Sequence, residues 1–253
     1  MTDKPSDQNS LTAADTIFAN TQGQAVTGQF KFDSAVARVF PDMIKRSVPG
    51  YAETVAMSGV IAGEYARDNT NLYDLGCSLG AVTLAMRHGV KAQNCKIIGI
   101  DNSSAMIEQA RHHIALDDGK VDVKLTCDDI TQIQIENASV VALNYVLQFI
   151  EKEKRLDLLS SIASGLNTGG ALILSEKIRF GDAEQKLQDE LHLDFKRANG
   201  YSELEIAQKR SAIENVLIAE TEQAHVERLK AAGFSQVIRW YQCFNFVSFL
   251  AVK

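Results

Sequence analysis

The stretch that most constrains this chain is Tyr73-Asp74-Leu75-Gly76-Cys77-Ser78-Leu79-Gly80. Apolar residues run into Asp74, two glycines follow, and Ala81 to Met86 reads as a helix. A strand, a tight turn and a helix N-terminus in that order is where a parallel α/β sheet grips a nucleotide-like ligand. Gly76 is expected to let the chain turn sharply beside the ligand, and Gly80 to let the helix pack close to the strand. A missing glycine narrows the choice of ligand. The dinucleotide turn G-x-G-x-x-G uses its second glycine to admit a pyrophosphate, and Ser78 stands there instead. No Gly-Lys-Ser/Thr follows, so this is not a P-loop. S-adenosylmethionine carries adenosine without phosphate, and D-x-G-x-x-x-G suits it. An ordinary strand-helix turn is the reading that this stretch alone leaves open.

Around it the chain alternates strands and helices. Leu72 to Asp74, Cys95 to Ile100, Val121 to Leu125, Val140 to Leu143 and Ala171 to Leu174 read as five strands with helical segments between them. That order implies βαβ units and a mostly parallel sheet. Val237 to Trp240 and Phe246 to Val252 read as two final strands, and their link is too short for a parallel crossover. The expected fold class is therefore α/β, a seven-stranded mostly parallel Rossmann-like sheet with a terminal antiparallel hairpin, the architecture of class I methyltransferases. A mostly helical insertion is expected over 182–220, before the last helix.

The N-terminal part reads differently. Residues 1–29 are rich in Ser, Thr, Gln, Asp and Gly without apolar periodicity, which predicts a disordered tail. Residues 30–253 then form a single domain whose first part, 30–70, is a helical cap. Phe32, Val36, Val39, Phe40, Met43 and Ile44 recur at helical spacing, and Pro41 within them is expected to break or kink the helix. Tyr51 opens a second helix after the Pro49-Gly50 turn.

In open α/β sheets the ligand lies beyond the C-terminal strand ends, which here carry Asp74, Gly76, Asp101, Asp129 and Asn144. Asp101 follows the second strand, 25 residues after Gly76, where a carboxylate accepts both ribose hydroxyls. A helix-capping or turn aspartate is the alternative. Asp129 follows the third strand and is placed to accept from the adenine amino group, with Ile130 packing on the ring. Asn144 follows the fourth and faces the methionine end. Ordinary loop roles are the alternatives for both.

Two residues point beyond a cofactor domain. Ser202-Glu203-Leu204-Glu205 has capping-box spacing and should start a helix. Ile206, Arg210, Ile213 and Leu217 fall at i, i+4, i+7 and i+11, which puts a guanidinium on an apolar face. Such a charge needs a partner. A snorkelling stem or an ion pair with Glu214 would serve, and so would a carboxylate in the active site. Tyr51, after its rigid turn, either closes over the ligand or is a core tyrosine.

Composition removes several classes. Net charge is −6 with no long Lys/Arg run, which argues against tight direct tRNA or other nucleic-acid binding. No apolar run is long enough for a membrane span, and the N-terminus lacks a signal peptide's apolar core. Four scattered cysteines without C-x-x-C and five histidines without H-x-x-x-H give no metal site. A reducing, cytoplasmic setting fits.

Several longer runs carry a family resemblance. Phe40-Pro41-Asp42-Met43-Ile44, Arg46-Ser47-Val48-Pro49-Gly50-Tyr51, the Tyr73 to Gly80 turn, Asp194 to Glu205 and Gln242-Cys243-Phe244-Asn245-Phe246 resemble the carboxy-S-adenosyl-L-methionine synthases. The resemblance runs from about residue 30 to the C-terminus, and Asp194 to Glu205 is its most specific part. It implies a class I methyltransferase fold and a homodimer. It implies conversion of S-adenosyl-L-methionine and prephenate to carboxy-S-adenosyl-L-methionine and phenylpyruvate. A separate carboxymethyltransferase then uses the product on a hydroxylated wobble uridine of tRNA. By resemblance Tyr51, Gly76, Cys77, Ser78, Asp101, Asn102, Asp129, Ile130 and Asn144 contact the cofactor, and Arg210 holds the new carboxylate as the catalytic residue. Prephenate that loses carbon dioxide and hydroxide becomes aromatic. The hydroxide can take a sulfonium methyl proton and the carbon can trap carbon dioxide, a route that needs positioning and charge rather than a protein base. A small-molecule methyltransferase and a non-catalytic cofactor-binding subunit are the competing readings.

Overall fold

The computed structural model describes residues 13–17, 32–213 and 216–253. The elements run α1 (Ser34–Ser47), α2 (Tyr51–Tyr65), β1 (Asn71–Leu75), α3 (Ala81–Gly89), β2 (Lys96–Asp101), α4 (Ser104–Leu116), β3 (Asp122–Cys127) and β4 (Ala138–Asn144). They continue with a 3-10 turn (Leu147–Phe149), α5 (Lys152–Gly165), β5 (Leu166–Arg179), α6 (Asp182–Ala198), α7 (Glu203–Ile213), β6 (Glu220–Thr221), α8 (Glu222–Ala231), β7 (Gln236–Cys243) and β8 (Phe246–Val252).

The sheet order is β3-β2-β1-β4-β5-β8-β7. The first five strands pair in parallel, and β8 joins β5 and β7 antiparallel. The order reverses between β1 and β4, so both strands send their C-terminal ends to the same crevice. The expected seven strands are all present, and the two-residue β6 adds a short parallel pairing to the far end of β5. β5 itself is much longer than Ala171–Leu174. Asn167 to Gly170 already belongs to it.

Apolar sequence explains the centre. Ala138 to Leu143 is buried throughout, as a parallel strand covered on both faces must be. Leu158, Leu159 and Ile162 of α5 cover one face of the sheet with Leu229 of α8. Ala62 of α2 and Val82 and Met86 of α3 cover the other.

Pro41 does not break α1. The helix is continuous through it, with Asp33 capping its start by accepting from the N–H groups of Ala35 and Val36. Proline removes one backbone bond, but Val36, Ala37 and Met43 bury against Leu79 and Met106. That packing outweighs the loss, as tertiary contacts usually do for helices.

Most of the 1–29 tail lies outside the described residues, but residues 13–17 are placed. There Asp15 is buried at 3% exposure, against α1 and α7.

Candidate functional site

The turn after β1 is built from the two glycines, though not for the same reason. Gly76 has φ of +76°, and a Cβ there would lie 2.3 Å from a Val146 methyl, so both conformation and space demand glycine. Gly80 has φ of +86°, but a Cβ would make only ordinary contact with Ala110 of α4. Its requirement is the left-handed conformation and not a close approach of helix to strand. The N–H groups of Gly76 and Cys77 both donate to the Ile100 carbonyl, at 2.7 and 2.9 Å, which lashes the turn to the end of β2.

Asp101 completes that lashing. One carboxylate oxygen accepts from the Ser78 N–H at 2.9 Å and the other from the Ser103 N–H at 2.9 Å. Ser103 caps α4, so the role of Asp101 within the protein is that of a turn residue, and it is compatible with the ligand role because each oxygen keeps a second lone pair for a diol. Burial pushes the Asp101 carboxyl up, and the two N–H bonds pull it back. Asp74, 2% exposed beneath the turn, accepts from Thr83 Oγ1 at 2.6 Å. Burial raises its carboxyl to about 7 against the pull of Thr83.

One cavity of about 820 Å³, near the upper end of the usual range for small-molecule sites, collects Tyr51, Gly76, Cys77, Ser78, Asp101, Asn102, Asp129, Ile130, Asn144 and Arg210. The positions expected from the sequence thus converge from β1, β2, β4, α2, α7 and the loop after β3. The Asn144 amide is held on both sides, donating to Ser58 Oγ at 3.3 Å and accepting from Ser175 Oγ at 2.5 Å. Asp129 uses Oδ1 to accept from the backbone and hydroxyl of Thr131, at 2.9 and 2.8 Å. Asn102 is exposed at the rim and Ile130 is 7% exposed.

Arg210 differs from its expected setting. It lines the cavity but is an exposed residue of α7, whereas its neighbour Lys209 is 4% exposed. Ile206 on the same helix is 5% exposed and Ile213 lines the cavity, while Leu217 is not helical. Glu214, the suggested i,i+4 partner, lies outside the described residues.

Several cavity residues escape sequence reasoning. Tyr51 stands 6.3 Å from Tyr145, Tyr145 6.0 Å from Phe246, and Phe246 5.1 Å from His192, all between ring centroids. These rings form an aromatic wall from the cofactor turn to α6. His192 lines the cavity. Its Nε2–H donates to the Ser47 carbonyl at 2.8 Å. Burial and then the charge of Lys196 push its imidazole down to about 3, so it is neutral at physiological pH. Lys177, Lys196 and Lys209 line the same end. Lys196 and Phe246 belong to runs that marked the family resemblance, but no spacing in the sequence brings β5, α6 and α7 to one wall.

Behind the wall, fully buried Arg155 donates to the carbonyls of Ile150, Gln148 and Ile218 and pairs with Glu220. Glu176, also fully buried, accepts from the N–H groups of Leu147 and Gln148 at 2.9 Å each. These bonds fix the backbone on both sides of the cavity floor. Away from the cavity, His88, Asp117 and Asp118 are the one grouping of possible metal donors among the described residues. Asp117 there is already committed to Arg87, His88 and the Gly119 N–H.

Comparisons with known proteins give the family and the fold. A family model for a methyltransferase domain matches residues 72–170, from β1 into β5. A carboxy-S-adenosyl-L-methionine synthase of Marinobacter nauticus is 58% identical over 225 residues, covering 88% of this chain and 90% of that protein. One from Pseudoalteromonas translucida is 53% identical over 247 residues, covering 96% of this chain and all of that protein. Among solved structures, magnesium protoporphyrin IX methyltransferase from Synechocystis with bound S-adenosylhomocysteine superposes with a TM-score of 0.57 at 18% identity, covering 89% of each chain. The chain has the class I methyltransferase fold. No described helix is long and apolar enough to cross a membrane.

Proposed function

This chain belongs to the carboxy-S-adenosyl-L-methionine synthases, and we propose that it converts S-adenosyl-L-methionine and prephenate to carboxy-S-adenosyl-L-methionine and phenylpyruvate. The single observation that carries this reading is Arg210 lining the same cavity as the glycine turn. Ordinary methyl transfer develops no carboxylate for a guanidinium to hold, whereas a carboxymethyl product does.

The bound sulfonium supplies acidified methyl protons, and prephenate supplies the carbon dioxide. The chain's own residues do the positioning. Asp101 takes the ribose hydroxyls, and Asp129 and Ile130 take the adenine. Asn144, its amide held by Ser58 and Ser175, faces the methionine end. Tyr51 and Tyr145 close the cavity over the reacting carbon and exclude water. Burial raises the phenols of both, so each stays a neutral hydroxyl at physiological pH. Burial and Lys196 hold the His192 imidazole at about 3, which makes it a weak base and a wall residue here. A reaction in which the departing hydroxide collects the proton asks no more of the protein than this.

The wider reading is a cytoplasmic homodimer that passes its product to a separate tRNA carboxymethyltransferase. It does not itself bind tRNA tightly, in keeping with a net charge of −6. Incubation with S-adenosylmethionine and prephenate tests the core of it. The expected products are phenylpyruvate and a sulfonium compound heavier than S-adenosylmethionine by one carbon dioxide. Formation of S-adenosylhomocysteine instead would overturn it.

A further inference from the structure

The cavity is polarised along the sheet. Asp74, Asp101, Asp128 and Asp129 line it from the ends of β1, β2 and β3, and Lys177, Lys196, Lys209 and Arg210 line it from β5, α6 and α7. The acidic half suits the ribose, the adenine amine and a sulfonium. The cationic half is left over once a cofactor occupies the turn.

The three lysines are not equivalent. Lys209 is satisfied, since it donates to Ser47 Oγ and the Tyr201 hydroxyl, at 2.8 Å each, and pairs with Asp15 at 3.3 Å. Among the described residues, the ammonium groups of Lys177 and Lys196 make no hydrogen bond or ion pair with the protein. Lys196 sits in the field of Lys177, Lys209 and Arg210, and Lys177 in that of Arg210. Asp189 offsets part of that repulsion, but one of its oxygens already accepts from Gln185 at 2.9 Å. Burial and then the neighbouring cations lower both amines, Lys196 to about 7, so keeping both as cations costs the fold stability, and an anionic ligand would offset that cost.

We propose that Lys177 and Lys196 form a subsite for the α-keto carboxylate that a dianionic co-substrate keeps through the reaction. The identity of that co-substrate as prephenate rests on the reading above, while the chemistry of the subsite rests on the wall itself. An ion pair to the carboxylate that departs as neutral carbon dioxide would stabilise the ground state and slow the reaction. The lysines therefore serve the carboxylate that stays. The aromatic wall of Tyr145, Phe246 and His192 lies between them and the turn, as a floor for the six-membered ring.

The test is calorimetry on protein saturated with S-adenosylhomocysteine, which has no methyl group to react. Prephenate and phenylpyruvate are titrated separately into wild type, Lys177→Met, Lys196→Met and Lys196→Arg. Both share the α-keto carboxylate, so both should weaken by roughly tenfold or more in each Met variant, the scale of a lost charge-assisted bond. Lys196→Arg should recover most of the affinity, and S-adenosylhomocysteine should bind all variants alike. Lys196→Met should melt no lower than wild type, because it removes an uncompensated cation. Unchanged affinity in both Met variants, no binding to wild type, or a loss confined to prephenate would overturn the assignment. So would a lower melting temperature for Lys196→Met, which would make Lys196 structural. Lysine-dependent binding of both acids without any conversion would leave the subsite standing and bring down the proposed reaction.

Discussion

Ser78 donates its backbone N–H to Asp101 at 2.9 Å, across the turn that replaces the phosphate-admitting glycine with serine. Ser78 itself sits in the left-handed region, with φ of +49°. Asp101 is thus clamped between the turn and Ser103 before any ligand arrives. Asp101→Ala should weaken S-adenosylmethionine binding by roughly 1.5–3 kcal/mol, the scale of hydrogen bonds to a charged group. It should also cost stability, because two N–H groups lose their acceptor. Calorimetry on the folded variant checks the first effect and thermal melting the second. Unchanged cofactor affinity would remove Asp101 from the ribose site.

Arg210 invites a competition experiment. A guanidinium meets a carboxylate with two parallel bonds, and a lysine ammonium cannot copy that fork. Arg210→Lys should keep S-adenosylmethionine binding, which rests on Asp101 and the glycine turn. It should lose the preference for carboxy-S-adenosylmethionine by roughly 1.5–3 kcal/mol. A variant that keeps the wild-type preference ratio would make Arg210 a structural residue.

Asp15 and Lys209 form a buried pair that ties the N-terminal segment to α7, with the Tyr201 hydroxyl donating to Asp15 at 2.5 Å. Breaking a buried pair by removing one partner costs roughly 3–5 kcal/mol. Asp15→Asn should fall toward the low end, because burial already holds the Lys209 amine down at about 8, against the support of Asp15. The variant lowers that value further. The penalty is therefore full only below the variant's lowered value, shrinks as pH rises from there to about 8, and is smallest above about 8, where the amine is neutral in both. Urea melts at pH 6 and pH 9 check this, and an equal loss at both would contradict it.

What was legible from the residues was the frame. Apolar runs ending in Asp74, Asp101 and Asn144 mark parallel strands and their ligand ends, and a short link before Phe246 forces the antiparallel hairpin. Such features are local, so they survive without knowledge of packing. Pro41 misled because the cost of one missing N–H is local while the burial of Val36, Ala37 and Met43 is not. Arg210 was placed on a buried face from helical spacing alone, which does not reveal that Lys209 is the residue turned inward, toward Ser47, Tyr201 and Asp15. Asp15 sits in a polar stretch that composition reads as disordered. Its burial depends on one carboxylate meeting Tyr201 and Lys209, nearly two hundred residues away. The cationic wall was invisible for the same reason. Lys177 and Lys196 are ordinary lysines until β5 and α6 face the same cavity.

The most direct measurement follows one carbon. Prephenate labelled in its ring carboxylate is turned over with S-adenosylmethionine, and the sulfonium product is analysed for label. Capture of the departing carbon dioxide on the cofactor predicts that the label appears in the new carboxymethyl group, in step with the phenylpyruvate formed. Label released entirely to solution, with phenylpyruvate still produced, would contradict the coupling on which this account of the cavity depends.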